Sequence, residues 1–176
     1  MEYIISQIMG IFGFIFIFAS TITKSIKFTM FCQICCNAFG ALSYILLGGF
    51  SGSGIFFIAM LQSIIFFILR MKEIKEPKWL QYVVFAAYLL CSALTFKGAL
   101  DIFPAIAAML CAVSLVQKKT SYYRIFIFFN GLVWMAYDLM ISAYSMLASH
   151  IFTSASALLG IILWDILKKS EKKKEG

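Results

Sequence analysis

The sequence predicts an all-α polytopic membrane protein, with seven transmembrane helices arranged as two parallel three-helix repeats joined by a linker helix. Three observations lead there. First, the 176-residue chain is 62% hydrophobic and 13% charged, against roughly a quarter charged in soluble domains, so a water-soluble core cannot be wrapped and a soluble enzyme is excluded. Second, apolar runs able to cross about 30 Å of hydrocarbon recur along the whole chain. Third, with seven alternating spans every Lys and Arg except Lys97 falls on one side, as retention of basic loops in the cytoplasm requires.

Taken in order, the first span runs from Tyr3 to Ser20. It has no basic region before it and no small-residue cleavage site after it, and is expected to be a retained helix, not a signal peptide. Lys24 and Lys27 separate it from the second, Thr29 to Gly49. A glycine-rich turn leads to the third, Gly54 to Met71, which ends in Arg70, Lys72, Lys75 and Lys78. Trp79 to Phe96 is the fourth. The fifth, Ile102 to Gln117, is short and carries Pro104 in its first turn, where a missing N–H costs nothing. Lys118, Lys119 and Arg124 introduce the sixth, Tyr122 to Ala143, and the seventh runs from Ile151 to Leu167 into a lysine-rich tail. The N-terminus is thereby placed outside and the C-terminus in the cytoplasm. The tail reads as a solvated segment that touches anionic headgroups. Asp165 beside Lys168 and Lys169 reads as an interfacial ion pair.

An internal repeat fits this plan. An offset of 93 lays Phe31–Gly48 on Arg124–Ile141, matching Asn37 with Asn130 and Tyr44 with Tyr137. An offset of 98 lays the third span on the seventh, including Glu73 on Glu171, which implies a small insertion in the hairpin before the last span. Both triplets begin outside, so one helix between them is needed, as in parallel-repeat transporters. The chain is read as a single transmembrane domain, 1–176, with repeat one at 1–75, the linker helix at 76–100, repeat two at 101–170 and the basic tail at 168–176.

Polar side chains within hydrocarbon are costly, so each one present invites a functional reading. Gln33, Asn37, Gly40, Ala41, Tyr44 and Gly48 share one face of the second span, and Asn130, Trp134, Tyr137 and Asp138 share one face of the sixth. A pseudo-twofold axis along the membrane normal would set Asn37 against Asn130 and Tyr44 against Tyr137 around one cavity suited to a small polar solute. Hydrogen bonding between helices is the competing reading for the asparagines, and placement near the outer interface is the competing one for the tyrosines. Asp138 would face water, pair with a cation or take a proton; a water-facing carboxylate near the outer surface is the simplest expectation. Gln62, Ser63, Ser154, Ser156 and Gly160 are candidate pore liners that equally serve close helix packing. Gly48, Gly49, Gly52 and Gly54 would permit gating tilts or simply make turns. Cys32, Cys35 and Cys36 lack a second cysteine pair or a histidine in reach, with His150 expected near the opposite face, so no metal site, cofactor or disulfide is expected.

The stretch NAFGALSYILLGGFSGSGIFFIAMLQSIIFFILR, Asn37 to Arg70, resembles the YgjV-like family of small bacterial inner-membrane proteins. The three-plus-one-plus-three organisation resembles the SWEET sugar facilitators and PnuC-type vitamin transporters, although no Pro-Gln pair occurs in the chain. That resemblance implies a bacterial cytoplasmic-membrane location and a sugar, vitamin or nucleoside-like substrate moved by alternating access. Enzyme signatures such as HExxH, GxSxG or a phosphate-binding glycine loop are absent from the sequence. The expected partners are the lipid bilayer and a small polar solute, with a homodimer compatible and nucleic acid excluded, because the basic residues line loops instead of one solvated face. A non-transporting scaffold, a partner subunit or a solute sensor are the alternatives.

Overall fold

A computed structural model describes residues 1–23, 25–74, 77–115, 117 and 120–163. The basic residues Lys24, Lys75, Lys118 and Lys119, together with Asp165, Glu171 and the tail, lie outside the described residues. Seven α-helices occur among those described: α1 Glu2–Ile22, α2 Ile26–Leu46, α3 Phe50–Met71, α4 Lys78–Thr95, α5 Ile102–Leu115, α6 Thr120–Met140 and α7 Tyr144–Gly160, with a 3-10 turn, Ala99–Asp101, leading into α5. The segments Glu2–Ser20, Lys27–Leu46, Phe50–Met71 and Tyr144–Leu163 are long and apolar enough to cross a membrane, and Trp79–Thr95 and Ala99–Ser114 are shorter apolar helices. The helix α6 carries Arg124, Asn130 and Asp138, which interrupt its apolar run.

Each helix packs on the next within α1–α2–α3 and within α5–α6–α7. α3 meets α5 and α7 returns to α1, closing a ring, while α4 packs on α3 and α5. The burial pattern is that of a lipid-solvated bundle. Ile4, Ile8, Ile11, Ile15 and Phe18 of α1 point outward, whereas Ser6, Ser43, Ser114 and Asp138 are buried. α4 shows why a short apolar helix stays docked: Leu80, Val84 and Tyr88 recur at four-residue steps and are buried, and Trp79, Val83, Leu90 and Leu94 face away.

The last helix starts at Tyr144, seven residues before the sequence-derived Ile151. Polar residues in YSMLASH conceal this first turn from a hydropathy reading. Within the bundle the backbone at this end and the histidine have partners: Gln7 of α1 accepts the Ser145 N–H at 3.0 Å and donates to Ser142 O at 3.0 Å, and His150 reaches Asp138.

The α2–α3 and α6–α7 connections have the same geometry. The Gly49 N–H reaches Tyr44 O and the Ala143 N–H reaches Asp138 O, each at 2.8 Å, while Gly48 N–H bonds Ile45 O and Ser142 N–H bonds Leu139 O. This double pattern is a Schellman cap, which needs a left-handed residue after the helix. Gly48 supplies it at φ 74° and Ser142 at φ 59°. Both turns are three residues long, so the insertion inferred from the 98-residue offset does not lie in the hairpin. The caps align Tyr44 with Asp138, 94 residues apart, where the offset of 93 had paired Asp138 with Ile45.

Candidate functional site

The two hairpins lie at one end of the bundle, and beneath them sits a buried polar and aromatic cluster. Asp138 of α6 is wholly buried, at 0% exposure. The Tyr44 hydroxyl of α2 donates to its Oδ1 at 2.6 Å, and His150 Nδ1 of α7 lies 2.6 Å from its Oδ2. Helix direction explains the convergence. A Cα–Cβ bond tilts toward its own helix N-terminus, so Asp138, near the end of α6, leans away from the hairpin while His150, two turns into α7, leans toward it.

Trp134 lies between the two partners, its ring stacked on Tyr44 at 5.6 Å and on His150 at 5.4 Å, each with an interplanar angle of 11°. Phe56 of α3 meets Tyr44, Trp134 and His150 edge-on. Tyr137 packs edge-on to Tyr44 and Trp134, and its hydroxyl occupies the space where a Cβ on Gly49 would come within 2.7 Å. Offset and edge-on pairs of this kind each contribute about 0.5–1.5 kcal/mol beyond burial. The hairpin end is therefore plugged by aromatic rings around one carboxyl group.

Below the plug the bundle is hollow. A cavity of about 190 Å³ is lined by Asn37, Phe56, Tyr88, Asn130, Trp134 and His150 among others. A second, of about 270 Å³, is lined by Gln33, Asn37, Gln62, Ser63, Tyr123 and neighbours. Asn37, Cys36, Tyr88 and Cys111 border both, so the two are contiguous at mid-bundle and together reach the size of small-molecule sites. The second extends away from the hairpins, toward the start of α2 and α6, where the lining residues Gln33 and Tyr123 are exposed.

The asparagines meet at this cavity without bonding to one another. Asn37 Nδ2 donates to Ser63 Oγ at 3.3 Å, and Asn130 Nδ2 donates to Ala107 O at 2.5 Å. An amide has two N–H donors and a carbonyl oxygen with two lone pairs, so each keeps unspent hydrogen-bonding capacity at the cavity wall. Gln62 accepts the Tyr88 hydroxyl at 3.0 Å. Among the described residues no group of three His, Cys, Asp or Glu is placed to hold a metal ion.

The sequence-derived site residues thus divide by depth. Asn37, Asn130 and Trp134 line the upper cavity, Gln33 and Gln62 the lower one, and Tyr44, Tyr137 and Asp138 form the plug. Two expectations are corrected. Asp138 does not face water, because α2 and α7 cover it and give it two partners. Tyr44 and Tyr137, at 0% and 1% exposure, pack inside the hairpin end and do not present their rings to an interface. The sequence reading missed His150, which it set near the opposite face from the cysteines; it lines the same cavity as Cys36. It also missed Phe56 and Tyr88, whose aromatic rings carry no polar signal or a weak one in an apolar run.

Residues 4–165 match the model of the Imp-YgjV family, described as bacterial inner membrane protein. The chain belongs to this family. All the cavity and plug residues fall within the matched span, and a bacterial inner-membrane location follows for them. No curated protein and no solved structure matches the chain.

Proposed function

We propose that this inner-membrane protein is a carrier, not an enzyme, and moves a small polar solute by alternating access. The observation that carries the reading is the mid-bundle cavity where Asn37 and Asn130, each with unused donors and acceptors, face the same space beneath the aromatic plug. Each asparagine also bridges helices, Asn37 to Ser63 of α3 and Asn130 to Ala107 O of α5, and does so with one N–H, leaving the second N–H and the amide oxygen for the cavity. A flat or hydroxylated solute would meet the Tyr88 ring and the edge of Trp134, whose faces are taken by Tyr44 and His150, and would find hydrogen bonds from the two amides and Gln62. The described wall of the upper cavity carries no Lys or Arg, which favours a solute without strong negative charge.

The ring of helix contacts supports a two-bundle mechanism. The pairs α1–α2, α2–α3 and α3–α5 have counterparts in α5–α6, α6–α7 and α7–α1, and the matched hairpin caps sit on the same correspondence. Seven spans with the N-terminus outside would put the hairpin plug at the outer face, because Lys27, Arg70 and Lys72 lie at the other end. The conformation then corresponds to a carrier closed outside, with its cavity leading toward the cytoplasm. Rocking α1–α2–α3 against α5–α6–α7 would part Tyr44 and Phe56 from Trp134, Tyr137 and Asp138.

The test is thermal stabilisation of the purified protein by glucose, nicotinamide, uridine and glutamine, with Asn37→Leu and Asn130→Leu alongside. A ligand at a hundred times its Kd raises stability by about 2.7 kcal/mol. A ligand whose effect both variants abolish supports the reading, and flux of it into proteoliposomes completes the case. Binding without flux would replace the carrier with a sensor. No stabilisation by any of the four, with both variants still folded, would turn the reading toward a partner subunit.

A further inference from the structure

The Asp138 carboxyl group is more elaborately held than a solute contact requires. It lies behind Trp134 and is wholly buried, so a solute in the cavity meets His150 and Trp134 first. We propose that Asp138, His150 and Tyr44 form a proton-binding latch, loaded when the outer plug is closed, so that protons drive the carrier's cycle. This deepens the carrier reading above and rests on it for the coupling, while the proton site itself rests on the cluster geometry.

The proton balance follows from the two short contacts. Loaded, the pair is neutral overall: an imidazolium against a carboxylate, or its tautomer, an imidazole against a carboxylic acid, the shared proton lying between Nδ1 and Oδ2. Tyr44 donates its own hydroxyl proton to Oδ1 in either case. Unloading removes one proton from His150 Nε2, the ring atom that Asp138 does not engage, into the cavity that the ring lines. Nδ1–H then still donates to Oδ2, and one net negative charge is left under the plug. An uncompensated charge in a low-dielectric interior costs several kcal/mol, and hydration relieves it only if the hairpin end parts. Loss of the proton toward the cytoplasm thus favours outward opening, and capture from outside favours closure.

The surroundings leave this charge without another partner. The titratable groups facing the pair are Cys36 and Tyr44 from α2, Tyr137 from α6, Tyr88 from α4 and Cys111 from α5, all neutral in their ordinary state. α1 and α3 present Ile17 and Phe56. Asp101, in the 3-10 turn at the same end, is engaged by the Lys97 and Gly98 amides at 2.7 and 3.0 Å. Among the described residues no Lys or Arg contacts the cluster.

Trp134, stacked on His150, is a built-in reporter, since an imidazolium quenches indole emission more than an imidazole does. The experiment uses the Trp79→Phe, Trp164→Phe protein in nanodiscs, followed as the pH is varied on both sides of neutrality. Deuterium exchange of the 44–53 hairpin amides is followed over the same range and corrected for intrinsic rate. The expected result is one transition in Trp134 emission, displaced in Asp138→Asn and lost in His150→Gln, with hairpin exchange rising about tenfold above it in the parent, a shift of ~1.4 kcal/mol. Asp138→Asn can still accept from Tyr44 and bond His150, so it separates titration from misfolding; thermal unfolding checks that it remains folded.

No transition in the parent overturns the latch, as does one that folded Asp138→Asn leaves unmoved, and so does hairpin exchange indifferent to pH. The two proposals fail separately. A latch that titrates in a protein moving no solute removes the carrier and keeps the proton site, whereas solute flux without any Trp134 transition does the reverse.

Discussion

The α6–α7 contact that aligns Asp138 with His150 depends on a glycine facing a serine, and this pair permits a quantitative test. A Cβ added at Gly131 would lie 1.9 Å from Ser154 Oγ, 3.2 Å from Ser154 Cβ and 3.4 Å from His150 O. Ser154 Oγ is buried without a hydrogen-bond partner. Gly131→Ala must therefore rotate the hydroxyl and still compress the two Cβ atoms, or move the helices apart. Overpacking of this kind costs about 1–3 kcal/mol, offset by up to about 1 kcal/mol of Gly-to-Ala helix propensity. Ser154→Ala alone removes an unsatisfied buried hydroxyl and is expected to be neutral or stabilising by up to about 1 kcal/mol. In the double variant the 1.9 Å overlap is gone and only the 3.2 Å Cβ contact remains, so the double is expected to approach Ser154→Ala alone. The coupling term should favour the double by about 1–2 kcal/mol. Reversible unfolding in mixed detergent micelles, run as a double-mutant cycle, reads it. Additive single effects would refute this packing of α6 on α7.

Four further outcomes follow from the same contacts. Tyr44→Phe keeps the ring stack and removes one donor from Asp138, and should cost about 0.6–2 kcal/mol in the same unfolding assay, within the range of interhelical bonds in membranes. Gln7→Leu unpairs both Ser145 N–H and Ser142 O; it should cost about 1–3 kcal/mol and speed deuterium exchange in the first turn of α7 above all. Asn130→Leu leaves Ala107 O within its helix, and Asn37→Leu leaves Ser63 Oγ bonded to Ala59 O, so each should lose only about 0.6–1 kcal/mol and serve as a folded control for ligand binding. Gly52→Ala would put a Cβ 2.8 Å from the Tyr137 ring and 3.3 Å from the Tyr44 ring. Rigid rings cannot yield as a flexible side chain would, so faster exchange of the 44–53 hairpin is expected; an unchanged rate would show that the plug does not close on Gly52.

The polar faces of α2 and α6 were legible because helical periodicity needs only the spacing of residues: Asn37 and Tyr44 stand two turns apart on α2, and Asn130 and Trp134 one turn apart on α6. The start of α7 was not, because hydropathy treats Ser145, Ser149 and His150 as though they met lipid, while in the bundle they meet Gln7, the preceding turn and Asp138. The sequence offset of 93 differs by one from the offset that relates the two hairpin caps for a similar reason. Side-chain identity aligns Tyr44 with Tyr137, whereas the hairpin hydrogen bonds align it with Asp138.

The sequence alone therefore determined the solvent of this protein, the number and faces of its helices and the residues too polar to lie against lipid, since these are sums of transfer free energies and a 3.6-residue period. Tertiary structure decided which polar residues meet. A buried carboxyl group and a histidine on different helices become partners only through the direction in which two antiparallel helices lean their side chains, and the cavity beneath them is the space that a whole ring of helices leaves unfilled. Neither property belongs to any one segment of the chain.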